Sequence, residues 1–87
     1  MIYRDHEIEK DTIVRTFSES IDPTELKWHR DDEDRAVVAV GLTDWKIQLE
    51  NRLPSSLETP AFIARGEWHR LIKGTGSLTL KIVKSYE

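Results

Sequence analysis

No window of this sequence repeats apolar residues at i, i+3, i+4 and i+7 for long enough to make a helix with a buried face. That constraint disfavours helical bundles and βαβ folds, and leaves strands to build the core. Alternating or β-branched stretches are DTIVRTF (11–17), ELKWHR (25–30), RAVVAVGL (35–42), WKIQLE (45–50), AFIA (61–64), EWHRLI (67–72) and SLTLKIVK (77–84). Between them stand IDPT, RDDEDR, GLTD, NRLPSSLETP, ARGE and KGTG. Their Gly, Pro, Asp and Asn residues favour chain reversal. The opening MIYRDHEIE fits either a strand or one helical turn. The fold class is therefore all-β, a sandwich or barrel of about six or seven short strands. In SLTLKIVK, Leu78, Leu80 and Ile82 share one face and Thr79 and Lys81 the other, the pattern of a half-buried strand. AVVAV is apolar on both faces and is expected to run through the centre, and KGTG is expected to close a hairpin.

At 87 residues the chain makes one domain, 1–87, near the lower size at which a core holds without metals, disulfides or partners. It has no cysteine, which excludes disulfides, thiolate metal sites and cysteine nucleophiles. A net charge of −3 with scattered basic residues argues against nucleic acid or a membrane surface as partner. The N-terminus lacks the apolar run of a signal peptide and no segment reaches transmembrane length, so a cytoplasmic location is the expectation. No GxSxG setting for a serine nucleophile occurs. The acids of RDDEDR lack the spacing of a calcium loop and are expected to form a solvated turn, and His6 is expected to be exposed.

The tripeptide WHR occurs as Trp28-His29-Arg30 and again as Trp68-His69-Arg70, in a chain with only three Trp and three His. Successive side chains on a strand point to opposite faces. In each copy the histidine therefore faces one way, and the tryptophan and arginine the other. Inside one small barrel, either both histidines converge on a site or both indoles converge on a core.

The spacing around the histidines favours the site. From Lys27 to Gly41 the chain fits HxH, four residues, an acid, six residues and Gly, with His29 at the second histidine, Asp34 at the acid and Gly41 at the glycine. Gly66-Glu67-Trp68-His69 fits a second motif, GxxH, with His69 as its histidine. These residues resemble the two motifs of the cupins. Between them, GLTDWKIQLENRLP is similar to the strand pair and inter-motif loop of very small cupin-like proteins, and the resemblance covers roughly 24–84. Lys27 departs from the pattern at the first histidine, Ala64 at the proline before Gly66, and Glu58 at the opening glycine of the second motif.

The resemblance implies a minimal cupin-type jelly-roll barrel with His29, Asp34 and His69 as metal ligands. Two imidazoles and one carboxylate with open positions suit divalent Fe, Mn, Ni or Zn. Lys27 and Gln48 would contact a small polar or anionic ligand. The alternative is a metal-free structural or binding module without catalysis, in which Lys27 pairs with Asp34 or Glu33 and replaces the cation. Enzymatic activity stays open between the two, since this fold hosts both kinds of protein. With the histidines inward, Trp28 and Trp68 point outward and need a cover. That cover is either the N-terminal segment with Ile2, Tyr3 and Ile8 or a second subunit, and a homodimer is the expectation.

Overall fold

Strand β8, Leu78–Ser85, is the spine of the molecule. Leu78, Leu80 and Ile82 are buried while Lys81 and Val83 are exposed, so the alternation in the sequence becomes a core face and a solvent face. In this computed structural model, which describes residues 3–86, β8 is hydrogen-bonded on both sides. Its partners are β2, Thr12–Phe17, and β3, Asp34–Ala39, both antiparallel. β1, Arg4–Glu9, extends this sheet beyond β2, and β6, Ala61–Ile63, extends it beyond β3. A second sheet has the order β5-β4-β7, from Ser55–Ser56, Lys46–Leu49 and His69–Ile72.

The inward residues of the two sheets meet in one core. Ile13, Phe17, Val37, Ile63, Leu80 and Ile82 come from the larger sheet, Ile47 and Leu49 from the smaller, and the loop residues Trp45 and Leu57 are fully buried. Burying side chains of this size stabilises the fold by about 1.5–3 kcal/mol each. The Trp45 indole N–H donates to the Gly76 carbonyl at 3.1 Å, so the polar end of this large ring is also satisfied.

The all-β jelly roll expected from the sequence is present, but not as the closed barrel expected: among the described residues the two sheets are not joined by strand pairing. The chain crosses between sheets from β3 to β4, from β5 to β6, from β6 to β7 and from β7 to β8, so KGTG links two sheets and is not a hairpin. Gly41 and Gly66, the two motif glycines, stand in the β3–β4 and β6–β7 crossings with φ of +87° and +79°, a left-handed conformation that an L side chain rarely adopts. The centre of the large sheet is β8, while AVVAV supplies β3 beside it.

MIYRDHEIE resolves as a strand from Arg4 onward. All six residues of β1 are exposed, and its charge suits an edge that must not pair with other chains. The stretch 25–30 is no continuous strand. A 3-10 turn, Pro23–Glu25, precedes it, capped by Asp22, whose side chain accepts the Thr24 N–H at 3.0 Å. Only His29 makes a ladder contact. Nor is RDDEDR a solvated turn, because Glu33 is only 8% exposed and accepts two bonds from the Arg35 guanidinium.

Candidate metal centre

The two WHR copies lie against each other. His29 N–H donates to the His69 carbonyl at 3.0 Å and His69 N–H donates back at 2.9 Å, a single antiparallel bridge on the free edge of β7. In that register tryptophan of one copy faces arginine of the other. The Arg70 guanidinium sits 4.8 Å from the centre of the Trp28 ring, and that of Arg30 sits 5.1 Å from the centre of the Trp68 ring. WHR is thus complementary to itself when run antiparallel, which explains why it recurs. The histidines turn inward and the indoles outward, as strand parity allows.

The imidazole centroids are 4.3 Å apart with the rings tilted by 58°. Each ring is fixed by the same local bond. His29 Nδ1 lies 3.0 Å from the Lys27 carbonyl, and His69 Nδ1 lies 2.9 Å from the Glu67 carbonyl. A carbonyl oxygen only accepts, so Nδ1 carries the proton in both rings. In the neutral rings both Nε2 atoms then present lone pairs, and these meet the carboxylate of Asp31. Ligand atoms of His29, Asp31 and His69 all lie within 4.8 Å of one another, on the order of the ~4.2 Å that separates opposite ligands around one ion.

His69 Nε2 is 3.1 Å from Asp31 Oδ2. That oxygen is buried and has no hydrogen-bond donor. The bond is missing because Oδ2 lies close to Nε2 but off the axis along which that ring nitrogen bonds. A metal ion shared by the two groups would satisfy this oxygen, which otherwise has only the Arg35 guanidinium nearby, at 3.4 Å. Burial pushes the His69 pKa below that of an ordinary histidine, and the nearby His29 acts in the same direction against the Glu67 carbonyl and Asp31. Protonation of His69 is therefore disfavoured near neutral pH, and the donor set fits a divalent cation. Separations of about 3 Å between adjacent ligands accord with bonds of ~2.1 Å.

Asp34 does not join this group. It opens β3 and is exposed, and its Oδ1 accepts the Arg65 N–H at 2.7 Å, which ties the turn before β7 to the larger sheet. The reason is parity: Arg35 and Val37 face the interior, so Asp34 faces out. Asp31 was missed by motif spacing because it lies in the irregular stretch before β3, where strand parity does not place side chains. Gln48 also faces outward, opposite Arg70 across the β4–β7 ladder, and its Oε1 accepts Arg70 Nε and Nη2 at 3.0 and 2.9 Å. It does not line the cavity beside the histidines. Lys27 does line that cavity, with Arg15, Arg35 and His29. It forms no ion pair with Asp34 or Glu33. Arg35 instead stands beside both acids, 2.8 Å from Glu33 and 3.4 Å from Asp31.

Of the two covers considered for the indoles, the N-terminal segment does not supply one among the described residues. β1 pairs with β2 in the other sheet, Tyr3 packs on Phe17 and under Arg15, and Ile2 lies outside the described residues. Trp28 and Trp68 remain 39% and 41% exposed, each partly shaded by the arginine of the opposite copy.

No protein-family model and no curated protein sequence matches this chain. Solved structures do. A putative mannose-6-phosphate isomerase from Ralstonia eutropha superposes with a TM-score of 0.66 at 14% identity, over 99% of this chain and 84% of the other. KdgF from Halomonas sp. gives 0.63 at 11% identity, over 97% and 89%. An iron(II) form of HppE gives 0.63 at 16% identity, over 85% of this chain but only 41% of that one. Likeness at such low identity is a statement about fold alone, and it agrees with the two facing antiparallel sheets. The chain has a jelly-roll fold of the cupin type.

Proposed function

We propose that this protein binds a small anionic ligand beside a divalent metal held by His29, Asp31 and His69. The observation that carries the reading is the contact between His69 Nε2 and the donorless, buried Asp31 Oδ2 at 3.1 Å. Iron, manganese, nickel and zinc all suit two imidazoles and a carboxylate. Such an ion would supply Lewis acidity and open coordination positions at the inner end of the cavity. The chain's own residues do the rest. The Lys27 and Glu67 carbonyls orient the rings, and the cations at the mouth attract an anion. The iron(II) form of HppE among the structural neighbours is compatible with such a centre in this fold.

A metal-free module is the competing reading, and Arg35 favours it. Its guanidinium 3.4 Å from Asp31 supplies some of the positive charge an ion would bring. Titration calorimetry with Zn(II) and Co(II) on chelator-treated protein separates the two. Under the metal reading Asp31→Asn weakens binding at least tenfold and Asp34→Asn leaves it unchanged. Failure of the unaltered protein to bind either ion defeats the metal reading.

The homodimer and the cytoplasmic location belong to the same proposal. The half-exposed Trp28–Trp68 pair supports a two-fold contact through this face. Among the described residues no helix is long and apolar enough to cross a membrane. Light scattering of the unaltered protein beside Trp28→Ser and Trp68→Ser tests the dimer, and a monomeric unaltered protein overturns it.

A further inference from the structure

Two cavities meet beside His29, and His69 lines the inner one. The outer one, about 300 Å³, opens to solvent between Tyr3, Glu25, Lys27 and Leu71. The inner one, about 50 Å³, lies between the sheets and is walled by Val37, Ile47, Ile63, Leu80 and Ile82. Arg15, Phe17, His29, Arg35 and Leu71 border both, so they form the neck. A volume of 300 Å³ corresponds to about ten waters, and the inner space to one or two.

Charge and polarity change sharply along this path. The protein as a whole carries −3, yet three of its cations, Arg15, Lys27 and Arg35, gather at one opening and outnumber the two acids there, Glu25 and Asp31. Each guanidinium has five N–H donors. Among the described residues Arg15 commits two to Asp5, and Arg35 commits two to Glu33. Both arginines keep donors for a ligand, held in place by the carboxylates behind them. Beyond the neck the wall is aliphatic. An oxyanion carried there would lose its hydration with nothing to replace it, which strongly disfavours that orientation. A ligand with both characters therefore binds in one direction only, charge at the neck and carbon inward.

We infer that the ligand of this site is a small oxyanion, a carboxylate or a phosphate monoester, bearing a short unbranched alkyl group that enters the inner cavity while Arg15, Lys27 and Arg35 hold its charged head. This rests on the proposed ligand site but not on the metal, because the three cations belong to the chain itself. The inner space limits the tail to about one to three carbons past the head, since a cavity of one or two water volumes is then full. A longer chain must either part the sheets or turn back into the mouth.

The test is a chemical-shift titration of isotope-labelled protein, with and without Zn(II), using butyrate, ethyl phosphate, butyramide and octanoate as probes. Butyrate or ethyl phosphate should bind the chelator-treated protein, and the tighter of the two identifies the head. Butyramide, which keeps the shape and loses the charge, should bind at least tenfold more weakly. Octanoate should bind more weakly than butyrate. Lys27→Ala, at an exposed position that leaves the fold intact, should weaken the charged probes tenfold and leave butyramide unchanged. Equal binding of butyramide overturns the anionic head, and tighter binding of octanoate overturns the short tail. Binding that appears only after Zn(II) is added overturns the arginine–lysine site and leaves the metal reading standing. Anion binding without Zn(II) affinity does the reverse.

Discussion

The two WHR tripeptides share every residue and almost every local bond, yet they occupy different physical environments. His69 belongs to β7, is paired with β4 on one side and His29 on the other, and is 5% exposed. His29 sits on an irregular segment after a 3-10 turn, makes one bridge and is exposed. The same Nδ1-to-carbonyl bond aims both rings, so local sequence sets ring orientation while sheet membership sets burial. One histidine is fixed and desolvated before any ligand arrives, and the other retains contact with water. In a metal or ligand site this makes His69 the anchor and His29 the residue able to adjust.

Stability gives the largest expected contrast. His69→Ala removes a buried ring and leaves the Asp31 carboxylate beside a void, which should cost about 2–3 kcal/mol. His29→Ala deletes an exposed ring and should cost about 0.5 kcal/mol or less. Urea denaturation of the chelator-treated variants measures both. Equal losses would show that the two copies are energetically alike, and the distinction between anchor and adjustable residue would fall.

Acid provides a second contrast, with its sign fixed by burial. The His69 pKa is lower in the folded protein than the ~6.5 of an unfolded histidine. Between these two values the unfolded chain binds the extra proton, so stability rises with pH there. The contribution is fully present above pH ~6.5 and is lost as the pH falls through that value toward the folded pKa. Asp5 also titrates below its usual value, held down by its bond to Arg15, but that lies outside this window. Denaturation midpoints between about pH 5 and 7.5 should therefore fall with acid in the unaltered protein and in His29→Gln. They should flatten in His69→Gln. A slope that survives in His69→Gln would place the titrating group elsewhere.

How much of this was legible in the sequence depends on whether a residue's partner is set by parity or by path. Alternation in 77–84 named Leu78, Leu80 and Ile82 as one face, and they form the core. Parity within WHR allowed two outcomes, histidines inward or indoles inward, and the motif spacing chose the one that the structure shows. The carboxylate was misplaced because motif spacing counts residues through 30–33 as if the path were regular. The chain there is irregular, and Asp31 reaches the histidines before β3 begins. Gln48 illustrates the opposite case: Ile47 and Leu49 beside it are buried, so alternation alone would have turned it outward. The role of Arg35 was hidden for a third reason. A guanidinium shared by two acids depends on how the turn at 31–34 folds back, which no local pattern records.

The smallest expected effect lies on the outer side of the same ladder, where the two tryptophan–arginine pairs look equivalent in sequence. Arg70 is part of β7 and its Nε and Nη2 are both held by Gln48 Oε1, so its plane is positioned over Trp28 before the contact forms. Arg30 lies outside the strands, is exposed, and stands slightly farther from its ring, at 5.1 Å against 4.8 Å. Ordering a free arginine costs side-chain entropy that an anchored one has already lost. A double-mutant cycle on Trp28 and Arg70 should therefore give a coupling near ~0.5–1 kcal/mol, and one on Trp68 and Arg30 about half that or less. Replacing Gln48 with alanine should bring the first value down to the second, because the only difference between the pairs that it removes is the anchor. If the couplings differ and Gln48→Ala leaves them unchanged, strand membership and not the Gln48 bond distinguishes the two copies.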